Sequence, residues 1–228
     1  MKTVIVTGAA GNLGQAIVKK FLDEDFTVIG TTTNNDALSF SGNARFESAV
    51  VDLANEEETQ KFADAIIKKH GTIDIAVSTV GGFAMNKIAD TPVAGIKKQY
   101  KLNFETTYII ARLVFIQMMK QGSGRIFLTG SRTGSEMRLS KGMIAYGLSK
   151  SLIFRLAELM NDEAKGTNVV TSVISPSTID TPQNREAMPD ADFSKWVTPE
   201  AIAAVVYNYC APGMSAIREP VIKVYNNA

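Results

Sequence analysis

The sequence predicts an α/β fold in which a seven-stranded parallel sheet is covered by helices on both faces. Three observations predict it. Short apolar runs alternate with longer amphipathic segments along the chain, the strand-length runs are apolar towards both sides, and a glycine-rich turn follows the first of them. The alternation is the βαβ rhythm, and strands nearly continuous in apolar residues belong in a sheet buried on two faces. Ile73-Asp74-Ile75-Ala76-Val77-Ser78 is such a run. Strands are predicted near 2–7, 27–31, 47–51, 73–79, 124–129, 168–175 and 220–225, and helices near 12–24, 55–70, 92–121, 143–164 and 198–209. Right-handed crossovers follow from the strand twist. With 228 residues, no internal repeat and no low-complexity linker, the elements read as one domain over 1–228. The long irregular stretch at about 176–197, rich in Pro, Asp, Ser and Asn, reads as a substrate loop or lid.

Composition removes several function classes. Hydrophobic residues make up 45% and charged residues 21%, as in an ordinary globular protein. The 24 basic and 23 acidic residues are spread evenly, which argues against nucleic-acid or anionic-membrane binding. The chain opens on the apolar strand Thr3-Val4-Ile5-Val6, and its longest apolar run, Tyr108 to Ile116, is interrupted by Arg112. A cytoplasmic location with no membrane span is the expectation. One histidine and one cysteine exclude a zinc centre or a Ser-His-Asp triad as the leading idea. His70, beside Gly71, reads as a helix C-terminal cap, and Cys210 as a half-buried helix residue.

The first predicted strand runs into Thr7-Gly8-Ala9-Ala10-Gly11-Asn12-Leu13-Gly14 and then an amphipathic helix. Glycines there permit a sharp turn, close approach of backbone to a pyrophosphate, and tight helix-on-sheet packing. The helix start offers unpaired N–H groups to an anion. A tight turn alone also favours glycine, but the strand–turn–helix context favours a dinucleotide site at Gly8, Ala10, Gly11, Asn12, Leu13 and Gly14. The second strand ends Gly30-Thr31-Thr32-Thr33-Asn34-Asn35, with no acid before Asp36 and no Arg or Lys. An acid there would bind the adenosine ribose of NAD, so Thr32 tilts the reading to NADP over NAD. Asp52 and Leu53 follow strand three, where they meet an adenine edge. For Asp52, an N-cap of the next helix fits as well.

Tyr146 and Lys150 lie four apart on a predicted helix and so share a face. A phenol near pKa 10 is a poor proton carrier at neutral pH, and a neighbouring cation would lower that value. Ser131 ends strand five at the carboxyl edge of the sheet, where it can donate to a substrate carbonyl, with Thr133 and Ser135 as rival hydroxyls. Asn103 is a poor helix former inside a predicted helix, which fits either a polar kink or a water-holding relay.

Together these residues make the chain resemble the short-chain dehydrogenase/reductase family over essentially its whole length. The resemblance implies a single Rossmann-type doubly wound domain and a catalytic set. In that set Tyr146 is the general acid-base, Lys150 holds the nicotinamide ribose and lowers the Tyr146 pKa, Ser131 orients the carbonyl, and Asn103 anchors a relay water. It also implies cofactor contacts at Gly81 and Thr181, a small-molecule substrate, and a homodimer or homotetramer built on the two long helices. Asn12 stands where the family's second glycine is commonest, Ser78-Thr79-Val80-Gly81 replaces Asn-Asn-Ala-Gly, and Pro176-Ser177 replaces Pro-Gly.

Asp180-Thr181-Pro182-Gln183-Asn184-Arg185, Met188-Pro189-Asp190-Ala191-Asp192-Phe193 and Trp196 are similar to dihydropteridine reductase, a branch that usually has an acid ending strand two and no catalytic serine. The leading expectation is hydride transfer between NAD(P)H and a carbonyl or alcohol. Pteridine reduction and a non-catalytic dinucleotide-binding regulator are the alternatives.

Overall fold

The structure, a computed structural model, describes residues 2–34, 38–211 and 213–227, apart from the side chain of Met137. Its strands are β1 (Thr3–Thr7), β2 (Thr27–Thr32), β3 (Phe46–Val50), β4 (Ile75–Ser78), β5 (Ser123–Thr129), β6 (Asn168–Pro176) and β7 (Val221–Val224). They form one sheet in the order β3-β2-β1-β4-β5-β6-β7, and every pairing is parallel. The order reverses at β1, the first strand, which opens a crevice between the carboxyl ends of β1 and β4.

Burial on both faces explains the apolar runs. In β1, Val4 and Val6 pack with α1 (Asn12–Asp23) and α8 (Pro199–Asn208), while Ile5 points to the opposite face. That opposite layer holds α2 (Glu56–His70), α4 (Thr106–Gln121) and α6 (Ile144–Glu163). β5 repeats the division, with Phe127 on one side and Ile126 and Leu128 on the other. Side chains alternate across a strand, so both alternating sets must be apolar.

The predicted helix at 92–121 is three pieces: α3 (Val93–Tyr100), a π-helical turn over Lys101–Glu105, and α4. Asn103 lies at the middle of the wide turn and is fully buried. The 176–197 stretch is not wholly irregular. It contains α7 (Pro182–Ala187), capped by Thr181, and a 3₁₀ turn at Phe193–Lys195. Between β5 and α6 lie α5 (Arg132–Ser135) and a 3₁₀ turn over Met137–Leu139.

Helix ends correct three finer expectations. Asn55, not Asp52, caps α2, its side chain accepting from the N–H groups of Glu57 and Glu58 at 3.1 and 3.2 Å. Asp52 is three residues too early to reach them and instead accepts from Ala54 N–H at 2.9 Å. At the other end Gly71, with φ +78°, forms the cap that follows His70. Cys210 sits just beyond α8 and is buried, not half-buried, and burial pushes its thiol up to about 12, which leaves it inert. Asp36 lies outside the described residues.

Removing the α2 cap with Asn55→Ala should cost about 1 kcal/mol in thermal or chemical unfolding, with Asp52→Ala costing less than half as much. The reverse ranking would return the cap to Asp52.

Candidate active site

The glycine turn is built by close contacts. Gly8 adopts φ +67°, a left-handed conformation that an L side chain resists, and Gly11 N–H closes the turn onto the Gly8 carbonyl at 2.9 Å. A Cβ on Gly14 would lie 2.1 Å from the Gly8 carbonyl oxygen, so only glycine lets α1 start against the turn. Thr79 pins the turn to β4, its N–H donating to Thr7 Oγ1 at 3.1 Å and its hydroxyl to the Thr7 carbonyl at 2.6 Å. Gly11 is the N-cap of α1, and no side chain caps that helix. The first-turn amides therefore face a cleft of about 850 Å³ with the helix dipole behind them. This bare, positively polarised rim fits a pyrophosphate.

All eleven residues predicted for the dinucleotide, apart from Lys150, line this one cleft: Gly8, Ala10, Gly11, Asn12, Leu13 and Gly14, then Thr32, Asp52, Leu53, Gly81 and Thr181. Thr32 donates its hydroxyl proton to the Asn34 carbonyl at 2.7 Å, and Thr181 accepts from Asn184 N–H at 3.2 Å. Asn12 also donates to Gln183 Oε1 at 2.8 Å, which ties the glycine turn to α7 across the cleft mouth.

The four predicted catalytic residues gather beyond the inner end. A Cβ on Gly81 would fall 2.8 Å from Asn103 Oδ1 and 3.2 Å from Lys150 Nζ, so this glycine is where cleft and cluster meet. Asn103 grips the next residue by both backbone groups, accepting from Gly82 N–H at 2.8 Å and donating to the Gly82 carbonyl at 3.0 Å. It also donates to Gln99 at 2.8 Å and to Ser149 Oγ at 3.1 Å, and Ser149 donates to the Tyr146 carbonyl at 2.8 Å. The π turn is thereby tied to the turn of α6 that carries Tyr146.

Ser131 is buried and N-caps α5, accepting from Gly134 N–H at 3.0 Å, with Thr133 Oγ1 also at 3.0 Å. Of the three hydroxyls, Ser131 is the one that bears on the Tyr146 phenol. Ser135 is turned away and donates to the Arg132 carbonyl. Burial raises the Tyr146 phenol above its ordinary value, and the Ser131 hydroxyl opposes this in part. The expectation that Lys150 lowers the Tyr146 pKa is not met in this arrangement: Lys150 directs its Nζ to the Thr129 carbonyl at 2.7 Å. Burial brings the Lys150 ammonium down to about 8.

Two features were missed from the sequence. Phe83 is 60% exposed, yet its ring meets the Tyr146 ring edge-to-face at 5.0 Å. Lys97, Lys98 and Lys101 also line the cleft. Their one-sided helical spacing was the available signal, whereas nothing local to Phe83 announced its position.

The family profile for short chain dehydrogenases matches residues 2–192. The chain belongs to the short-chain dehydrogenase family. An uncharacterized oxidoreductase of Staphylococcus epidermidis is 26% identical over 225 residues, covering 97% of this chain and 96% of that protein. A short chain dehydrogenase from Bacillus anthracis superposes with a TM-score of 0.86 at 19% identity, covering 99% of this chain and 95% of its own. A serine dehydrogenase complexed with NADP+ gives 0.87 at 19% identity, covering 97% and 94%. This short-chain dehydrogenase is therefore an oxidoreductase on a Rossmann-like fold, from a family that binds NAD or NADP. Among the described residues no helix is long and apolar enough to cross a membrane.

Lys150 gives the site a measurable signature. The unfolded chain keeps this proton to about 10.5 and the folded protein releases it near 8, so its contribution to stability rises with pH between those values. Below about 8, burying the charge costs about 3 kcal/mol. Lys150→Met should therefore stabilise the ligand-free protein at pH 7 by about 1–3 kcal/mol, with the difference shrinking as pH approaches 10. A destabilised variant would show that the Thr129 hydrogen bond outweighs the desolvation.

Proposed function

We propose that this protein is a single-domain, NAD(P)H-dependent reductase of a small carbonyl compound, also able to oxidise the corresponding alcohol, with NADP the preferred dinucleotide. The observation that carries the reading is the Tyr146–Ser131 pair beyond the inner end of the glycine-rimmed cleft. The dinucleotide supplies the hydride when bound, and the protein supplies orientation and the proton. Gly8, Gly11 and the α1 amides hold the pyrophosphate, Asp52 and Leu53 the adenine side, and Thr181 the carboxamide. Lys150 holds the nicotinamide ribose, and Asn103 anchors the relay water that restores the Tyr146 proton.

The raised phenol pKa suits reduction. Tyr146 stays protonated through neutral pH and gives its proton to the carbonyl oxygen as hydride reaches the carbonyl carbon. Ser131 Oγ accepts from Gly134 N–H, and its own proton turns from its hydroxyl neighbours to the substrate oxygen when substrate binds. In the oxidative direction Tyr146 must be ionised, so that rate increases with pH while the reductive rate falls.

Phe83 favours a second, narrower reading in which the substrate is a flat conjugated ring such as a quinonoid dihydropteridine. An exposed aromatic face beside the proton donor is a stacking platform. The C-terminal loop similarity points the same way, its Asp180–Arg185 pair and Arg185–Phe193 contact at 4.8 Å holding α7 over the cleft.

Oxidation of NADPH and NADH, followed with a carbonyl panel that includes a quinonoid dihydropteridine, tests both readings. Tyr146→Phe should lower kcat by about 10²–10⁴-fold while retaining dinucleotide binding. A protein that binds dinucleotide, turns over nothing and is indifferent to Tyr146→Phe is a non-catalytic binder, and the enzyme reading fails.

Self-association as a homodimer or homotetramer belongs to the same proposal. α4 exposes Tyr108 and Ile116, and α6 exposes Leu148, Leu152 and Leu159. Leu152→Asp combined with Leu159→Asp should shift the mass in sedimentation equilibrium to the monomer. An unchanged mass would move the interface elsewhere.

A further inference from the structure

The whole chain balances 24 basic against 23 acidic residues, but the cleft does not. Its charged lining is Lys97, Lys98 and Lys101 against Asp52 alone. The three lysines are exposed, and their spacing of one, three and four residues sets them on one side of a continuous helical path, where they repel one another. Among the described residues none of them makes an ion pair.

A structural reason for lysines at the end of a helix would be the carbonyls and negative dipole there. That reason is absent. α3 passes into the π turn and on into α4 without leaving helical angles, with φ −56° and ψ −51° at Lys101, so no helix terminus needs them. Among the described residues, the end of β2 that also lines the cleft offers no charge. β2 ends in neutral threonines, and the Thr32 hydroxyl proton is already given to the Asn34 carbonyl. The pyrophosphate has its own partners in the uncapped amides of α1. An anion is thus still wanted beside α3, in the cleft that Asp52 and Leu53 also line.

We infer that Lys97, Lys98 and Lys101 recognise the 2′-phosphate of NADP, so that cofactor selectivity resides on the helix after β4 and not at the end of β2. The inference rests on the proposed dinucleotide site and assigns the residues that choose between its two forms. Ammonium groups on long flexible stems act as point charges for a phosphate.

The test is fluorescence titration of NADPH and NADH into the full-length protein and into Lys97→Gln/Lys98→Gln/Lys101→Gln. Glutamine keeps helix propensity, and circular dichroism checks the fold. The expected result is a loss of about tenfold or more in NADPH affinity with less than about twofold in NADH. Competition by 2′,5′-ADP should weaken in parallel and that by 5′-AMP should not, and the wild-type preference for NADPH should fall with added salt. Arginine at the three positions should retain the preference. Equal losses for both dinucleotides would place the lysines on the pyrophosphate, and no change would leave them as solvated charges; either overturns the inference. If the wild-type protein binds neither dinucleotide, the proposed function itself fails, a result distinct from both.

Discussion

Parallel pairing is the constraint from which the rest of the molecule follows. All seven strands point one way, so every carboxyl end finishes at the same edge and every connection must return over a face of the sheet. The returning helices bury both faces, which demands apolar residues at successive positions of β1, β4 and β5. The strand order reverses beside β1, and the crevice left there receives the glycine turn, the end of β2, the residues after β3 and β4, and the start of α7. Residues far apart in the chain meet at that edge because no other place in a parallel sheet leaves strand ends uncovered.

At this edge the molecule retains polar groups that a design for stability would remove. Lys150 is buried with the Thr129 carbonyl as its hydrogen-bond partner, and Asn103 is fully buried in a widened helical turn. Both are held by surrounding structure: Asn103 by four hydrogen bonds that link Gly82, Gln99 and Ser149, and Lys150 by the packing of α6 against the sheet. Strained or desolvated groups of this kind concentrate where chemistry is done. The Asn103 clamp on Gly82 also fixes the backbone from which Phe83 reaches the Tyr146 ring, so the two rings share one scaffold.

Much of this was legible in the sequence. Strand positions followed from two-sided apolar runs, and β4 was drawn furthest too long, at 73–79 against Ile75–Ser78, because Ile73 is buried without being paired in the sheet. Asn103 announced itself as a misfit in a helix, and the structure turned the misfit into a π turn. The α2 cap was placed three residues early because Asp and Asn are equally good caps, and only the observed helix start tells Asp52 from Asn55. The loop over 176–197 hid α7, since its Pro and Thr are as typical of irregular chain as of a capped helix start.

By itself the sequence determined the sheet, the glycine turn and the set of side chains at the cleft, because periodicity, turn chemistry and spacing are local properties of the chain. The direction of the Tyr146 pKa was decided by tertiary structure: a helix brings Lys150 to the same face, but burial and the Thr129 carbonyl determine what its charge does. Phe83 against Tyr146 and three lysines in the cleft were likewise decided in three dimensions. Such contacts join elements that the chain visits separately, and their distances exist only once the sheet has brought those elements to one edge.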